Sequence, residues 1–257
     1  GAQGSGKSFQ CRNFAETSDG RIAHLSLDDF YCTRAQRVHL AETRHPLMMT
    51  RGPPGTHDIR RAQGAIAQLN RAKPSEQVRL PHFDKARDDR APEETWRSIP
   101  GRPAAILFEG WCIGATGANL SASTETVEEF FARQSAAYEQ TCTSAPLNAL
   151  EAREDADGRW RGLLVSKLLH EYAMFHANWF DAFIYLQAPS FEIVRRWRGE
   201  QEEATLGRPL TTEENKALDR FVMHFERVTR SMLAGNHRGH SIVHLDEKRR
   251  VLQIERC

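Results

Sequence analysis

The sequence opens Gly1-Ala2-Gln3-Gly4-Ser5-Gly6-Lys7-Ser8-Phe9, and its Gly-x-x-x-x-Gly-Lys-Ser spacing suits the phosphates of a nucleotide. Glycines let the backbone curl so that successive N–H groups point at phosphate oxygens, and a helix beginning near Lys7 adds its positive end. On this reading Gly1, Ala2, Gln3, Gly4, Ser5, Gly6, Lys7, Ser8 and Phe9 bind ATP. Lys7 reaches the β- and γ-phosphates, and the Ser8 hydroxyl ligates Mg²⁺.

Two further stretches carry acids where such chemistry needs them. "LSLDDFY", Leu25 to Tyr31, is an apolar run closing on Asp28 and Asp29. A strand of an open parallel sheet presents its carboxyl end to the ligand crevice, so both carboxylates are expected beside the phosphates. Asp28 is read as the group that accepts the proton of an attacking hydroxyl and helps to hold Mg²⁺. Asp29 stands open between acceptor binding and a capping role. "ILFEGW", Ile106 to Trp111, repeats the pattern and puts Glu109 where a Walker-B acid holds the metal through water. A GTPase would need Asn-Lys-x-Asp, and the nearest string, "NKALD" at Asn215–Asp219, has the wrong spacing. The Leu-Ser-Gly-Gly-Gln signature of ABC-type ATPases does not occur.

The elements that must position these groups follow from periodicity. Strands are expected at Ile22–Leu27, Ala104–Glu109, Ala182–Gln187 and Ser241–Leu245, with a weaker one at Val251–Ile254. Helices are expected near Lys7–Thr17, Ile59–Asn70, Val127–Tyr138, Gly162–Trp179, Phe191–Glu203 and Glu213–Leu233. Strands alternating with helices predict an α/β fold, a three-layer α/β/α sandwich around a mostly parallel sheet. The chain reads as one kinase domain over 1–257. A phosphate loop follows a strand, so a strand upstream of Gly1 is also expected. Loop-rich stretches at 44–58 and 80–103 are long enough to be functional.

Composition narrows the partners. A net charge of +1 lacks the basic excess of a nucleic-acid binder. The five cysteines form no C-x-x-C or even framework, which fits a cytoplasmic or other reducing compartment, an upstream targeting segment being left open. No apolar run approaches the roughly 18 residues of a membrane helix. Among the eleven histidines, His170 and His176 and the string His237, His240 and His244 suggest metal binding only superficially, for their spacing matches no zinc site.

Gly1–Ser8, "SLDDFY" and the acid-closed strand together resemble the phosphoribulokinase and uridine kinase branch of phosphate-loop kinases. "RGPPGTHD" (Arg51–Asp58), "LPHFDKARDDRAP" (Leu80–Pro92) and "LFEGWCIG" (Leu107–Gly114) are similar to the D-glycerate 3-kinases of plants, fungi and their bacterial relatives. The resemblance implies transfer of the ATP γ-phosphoryl group to the 3-hydroxyl of D-glycerate, with Mg²⁺ and with Asp28 in the catalytic-base position. Phe83, where tyrosine is common, and a short "KARDDR" depart from the pattern, and both put the acceptor in question rather than the chemistry.

An anionic acceptor calls for cations and hydrogen-bond partners, with arginine the natural match for a carboxylate. The candidates are Asp29, Tyr31, Arg51, His57, Asp58, Lys85 and Arg90. A nucleoside or pantothenate-like acceptor remains open, with Phe30, Tyr31 and Phe83 as stacking rings, and so does a nucleotide-gated binding protein. "FEIVRRWRGEQEE", Phe191–Glu203, reads as a lid over about 190–210, with Arg195 and Arg198 three apart on one face to neutralise the transferring phosphoryl group. Arg196 is expected to pair with nearby glutamates, and Arg227 or Arg230 to face the nucleotide. The oligomeric state is not legible.

Overall fold

The computed structural model describes residues 1–116 and 146–257. They form two compact units, Gly6–Trp111 and Gly1–Ser5 with Cys112–Cys257. The helix expected at Val127–Tyr138 lies outside the described residues.

In the first unit, α1 (Lys7–Glu16) starts directly from Gly6, whose φ of 87° is a conformation that glycine adopts without strain. It leads to β1 (Ile22–Ser26), which pairs in parallel with β6 (Ala105–Glu109) in the register Ile22↔Ala105 to Ser26↔Glu109. The two strands therefore end level. Ser26 then caps a 3-10 turn, Leu27–Phe30, its hydroxyl accepting from Asp28 N at 3.3 Å. Helix α2 (Arg34–Thr43), not legible as a helix in the sequence, is started by a reciprocal Thr33–Gln36 capping box. Helix α3 (Ile59–Arg71) buries Ile59, Ala62, Ala65, Ile66 and Leu69, the stripe its periodicity predicts.

Between α3 and β6 the expected loop contains short antiparallel pairs. β2 (Gln77–Arg79) runs beside β5 (Ser98–Pro100), and β3 (Phe83–Asp84) forms a hairpin with β4 (Asp89–Arg90). The Arg51–Asp58 loop is braced internally. Gly52 and Gly55 take φ of 111° and 95°, Gly52 N donates to Thr56 Oγ1 at 2.9 Å, and Thr56 Oγ1 donates to Pro53 O at 2.7 Å.

The second unit carries α4 (Ala149–Glu154), then α5 (Arg159–Ser166), which runs through a wider π-type stretch into α6 (Ala173–Trp179). This helix begins before Gly162 because the buried Asp155 carboxylate caps it, accepting from Trp160 N at 2.7 Å and Arg161 N at 3.1 Å. Strand β7 (Ile184–Gln187) pairs in parallel with β8 (Ser241–Leu245), and β9 (Val251–Arg256) returns antiparallel. Helices α7 (Phe191–Leu206) and α8 (Thr212–Leu233) bury Phe191, Val194, Trp197, Leu218 and Val222 in one core with Ala2, Ala188 and Leu245. No helix among the described residues is long and apolar enough to cross a membrane.

Candidate active site

The Gly1–Ser8 loop is shaped by its glycines. Gly4 takes φ of 71°, and a Cβ there would stand 2.6 Å from Trp197 Cβ, so only glycine fits. At the head of α1 no side chain caps the first turn and no acid occupies it, which leaves the helix end suited to an anion.

Two residues into α1, Ser8 Oγ donates to Glu109 Oε1 at 2.7 Å, and His24 Nε2 stands 3.8 Å from the same oxygen. Burial acts to raise the Glu109 pKa, but His24, Lys7, Ser8 and Ser26 outweigh it and bring the carboxyl down to about 2. Glu109 is thus an ionised carboxylate at neutral pH, buried, with a hydroxyl at its side. Hard oxygen donors of this kind fit Mg²⁺.

Asp28 follows β1 by two residues. Its carboxylate accepts from Tyr31 Oη and from Lys85 Nζ, each at 2.7 Å. Burial works to raise its pKa, yet Lys85 and Tyr31 hold it below the ordinary value, against the repulsion of Glu109. That repulsion places Asp28 and Glu109 in one electrostatic field. Asp29 accepts from Phe83 N at 3.4 Å and meets His82 Nδ1 at 2.9 Å, and burial raises its pKa despite both contacts.

The remaining acceptor-side candidates divide. Lys85 is exposed and bound to Asp28. Arg51 Nη1 donates to Asp88 Oδ1. His57 is buried, its ring 5.0 Å from that of Tyr31, and burial holds its pKa near 4 against the pull of Asp28. Asp58 is the N-cap of α3, accepting from Arg61 N at 3.0 Å, and its other oxygen meets Arg90 Nη2 at 3.3 Å. Arg90 also donates to Tyr31 O at 3.4 Å, so both residues hold the loop framework. Phe30, Tyr31 and Phe83 are 1%, 6% and 2% exposed, so none offers a free face to a stacked base.

Sequence reasoning missed Arg37, His24, His82 and Asp88. Arg37 sits on a helix without an apolar stripe, and Asp88 in a charge-rich loop, so neither carries a local signal. In the second unit, Arg195 is taken up by Asp219 at 2.7 Å and Asn215 at 2.9 Å, and Arg198 by Glu202 with its guanidinium over Phe221. Arg196 lies 3.8 Å from the neighbouring Glu200, as expected, and meets the distant Glu247 more closely, at 3.1 Å. The expectation that Arg227 or Arg230 faces the nucleotide meets a different arrangement. Arg227 is buried against Glu151, and Arg230 is held by Glu192 and Glu226.

The mixed α/β fold and the arrangement of these residues are similar to those of phosphate-loop kinases. No family model matches the chain. It is 28% identical over 240 residues, 88% of its own length and 76% of the relative's, to the uncharacterized kinase mug58 of Schizosaccharomyces pombe. It is 31% identical over 122 residues to the chloroplastic D-glycerate 3-kinase of Arabidopsis thaliana, which covers 44% of this chain but only 27% of the plant enzyme. The structure of D-glycerate 3-kinase from Cryptococcus neoformans var. grubii superposes with a TM-score of 0.67 over 95% of this chain and 83% of the other, at 22% identity. The resemblance drawn from the motifs holds, and the fold is shared with that solved kinase.

Proposed function

We propose that the protein is an ATP-dependent kinase that phosphorylates the 3-hydroxyl of D-glycerate, giving 3-phosphoglycerate and ADP. The observation that carries this reading is the Asp28 carboxylate at the end of β1, bound to the exposed cation Lys85 and lying in the field of the Ser8–Glu109 pair.

In this reading the amides from Gly4 to Ser8 and the Lys7 ammonium bind the phosphates. Ser8 and Glu109, with Asp28, would hold Mg²⁺, which when bound neutralises charge on the β- and γ-phosphates. The acceptor carboxylate draws Lys85 from Asp28, and the freed Asp28 oxygen orients the hydroxyl. As the acceptor oxygen bonds to the γ-phosphorus, the bond to the β–γ bridging oxygen breaks, ADP leaves with that electron pair, and the hydroxyl proton passes to Asp28. Arg195 and Arg198 act as lid cations once they exchange their present acids for the phosphoryl group. Burial of all three candidate stacking rings favours a small hydroxy acid over a nucleoside.

The test is ADP release with Mg·ATP and, separately, D-glycerate, L-glycerate, uridine and pantothenate. D-glycerate alone should stimulate turnover, and Asp28→Asn should lower kcat by about 10²–10⁴-fold. Stimulation by another acceptor overturns the substrate, and nucleotide binding without any stimulation moves the reading to a nucleotide-gated binding protein.

A further inference from the structure

One fully buried cation on the acceptor side has no part in the chemistry above. Arg37, 1% exposed, projects from α2 and joins three segments that sequence separates. Its Nε donates to Cys32 O at 3.3 Å, just past the Asp28 turn, and its Nη1 to Met49 O at 3.0 Å, just before the Arg51–Asp58 loop. Its Nη2 donates to Asp88 O at 2.6 Å and meets Asp88 Oδ2 at 2.9 Å, in the turn of the β3–β4 hairpin. The guanidinium carbon lies 5.8 Å from the Phe83 ring centre, and Phe83 stands edge-on to Tyr31 at 5.0 Å. Tyr31 and Lys85, at the two ends of this packing, are the groups that bind Asp28.

A buried guanidinium is costly unless its donors are satisfied, and apolar residues of like volume would often serve stability as well. Asp88 adds a second cost, for its φ of 53° is a left-handed conformation at a non-glycine residue. Both costs fall on one hairpin turn, the one that carries Lys85. Only a planar fork with several fixed donors can hold three backbone segments at once, and lysine cannot replace it.

We propose that Arg37 is a positioning residue for the acceptor: through Asp88 it fixes the β3–β4 hairpin so that Lys85 meets Asp28 and the incoming carboxylate. The role rests on the reading of Lys85 and Asp28 as the acceptor side. It also explains why Arg51 is tied down. The Asp88 carboxylate is shared between Arg37 and Arg51, whereas the exposed Lys85, bound to Asp28 itself, is placed to exchange its partner for the substrate.

The experiment compares the wild-type chain with Arg37→Lys, Arg37→Gln and Asp88→Asn. Three readouts are taken: KM for D-glycerate, Mg·ADP affinity by calorimetry, and tryptic cleavage after Lys85 and Arg87. All three variants should raise the acceptor KM about tenfold or more while leaving Mg·ADP affinity within about twofold, and should speed cleavage in the hairpin. Asp88→Asn covers the case in which the Arg37 variants fold poorly. An unchanged acceptor KM in folded variants overturns the proposal, as does equal loss of acceptor and nucleotide binding, or an Arg37→Lys protein that behaves as wild type. If the wild type itself is not stimulated by D-glycerate, the functional reading falls, and the cleavage rates alone still decide whether Arg37 clamps the hairpin.

Discussion

His57 should make the protein lose stability in mild acid, by an amount that can be worked out. The ring is 3% exposed, packed on Tyr31, and held neutral with a pKa near 4 instead of the usual 6.5. Burial causes the depression, and the nearby Asp28 charge only partly offsets it. Because the folded pKa lies below the unfolded one, the unfolded chain binds more protons between pH 6.5 and 4. Stability therefore falls as pH falls through that window. From pH 7.5 to 5 the loss from this one residue is about 2 kcal/mol, most of the roughly 3 kcal/mol that the full shift allows. Glu109 does not confuse the result, since its depressed carboxyl begins to cost stability only below its unfolded pKa of 4.5. Urea unfolding of wild type and His57→Gln at pH 7.5 and pH 5 gives the comparison, because glutamine cannot take up the proton. The variant should lose about 2 kcal/mol less than wild type between the two pH values. Equal losses in the two proteins would refute the argument that burial, rather than a favourable partner for the charged ring, governs His57.

Other expectations follow the same geometry. Glu109→Gln removes the ionised oxygen beside Ser8, so half-saturation by Mg²⁺ in the kinase assay should rise about tenfold or more while the fold, followed by circular dichroism, persists. Arg227→Met strands the buried Glu151 carboxylate, now bonded at 2.7 and 2.5 Å, and should cost about 3–5 kcal/mol in urea unfolding. The double variant Arg227→Met with Glu151→Leu should recover most of that loss, and a double variant no more stable than the single would contradict it. Gly4→Ala meets both a left-handed φ and a Cβ approach of 2.6 Å, so it should abolish Mg·ADP binding by calorimetry and lower the melting temperature.

Much of the geometry of the Gly1–Ser8 loop and the strands beside it was legible in the linear chain because its determinants are local. Gly6, Lys7 and Ser8 are adjacent, the loop-to-helix junction follows from glycine conformation, and an apolar run closed by an acid predicts both a strand and the end at which the acid emerges. The strands at Ala105–Glu109 and Ser241–Leu245 lie within a residue of the expected bounds for that reason. Periodicity also marked α3 and α8, whose apolar stripes are simple records of a buried face. What the tertiary structure alone decided is which charges meet. Asp28 and Lys85 are 57 residues apart, Arg37 and Asp88 51, and Glu151 and Arg227 76, so no spacing rule links them. The same holds for Asp58, whose acid reads as a ligand in isolation but is taken up as a helix cap and by Arg90 once α3 has formed. Local pattern determines which backbone conformation a segment prefers and which face it buries. The partner of a polar side chain is set by packing between distant segments, where the cost of burying a charge selects the few arrangements in which that charge is paired.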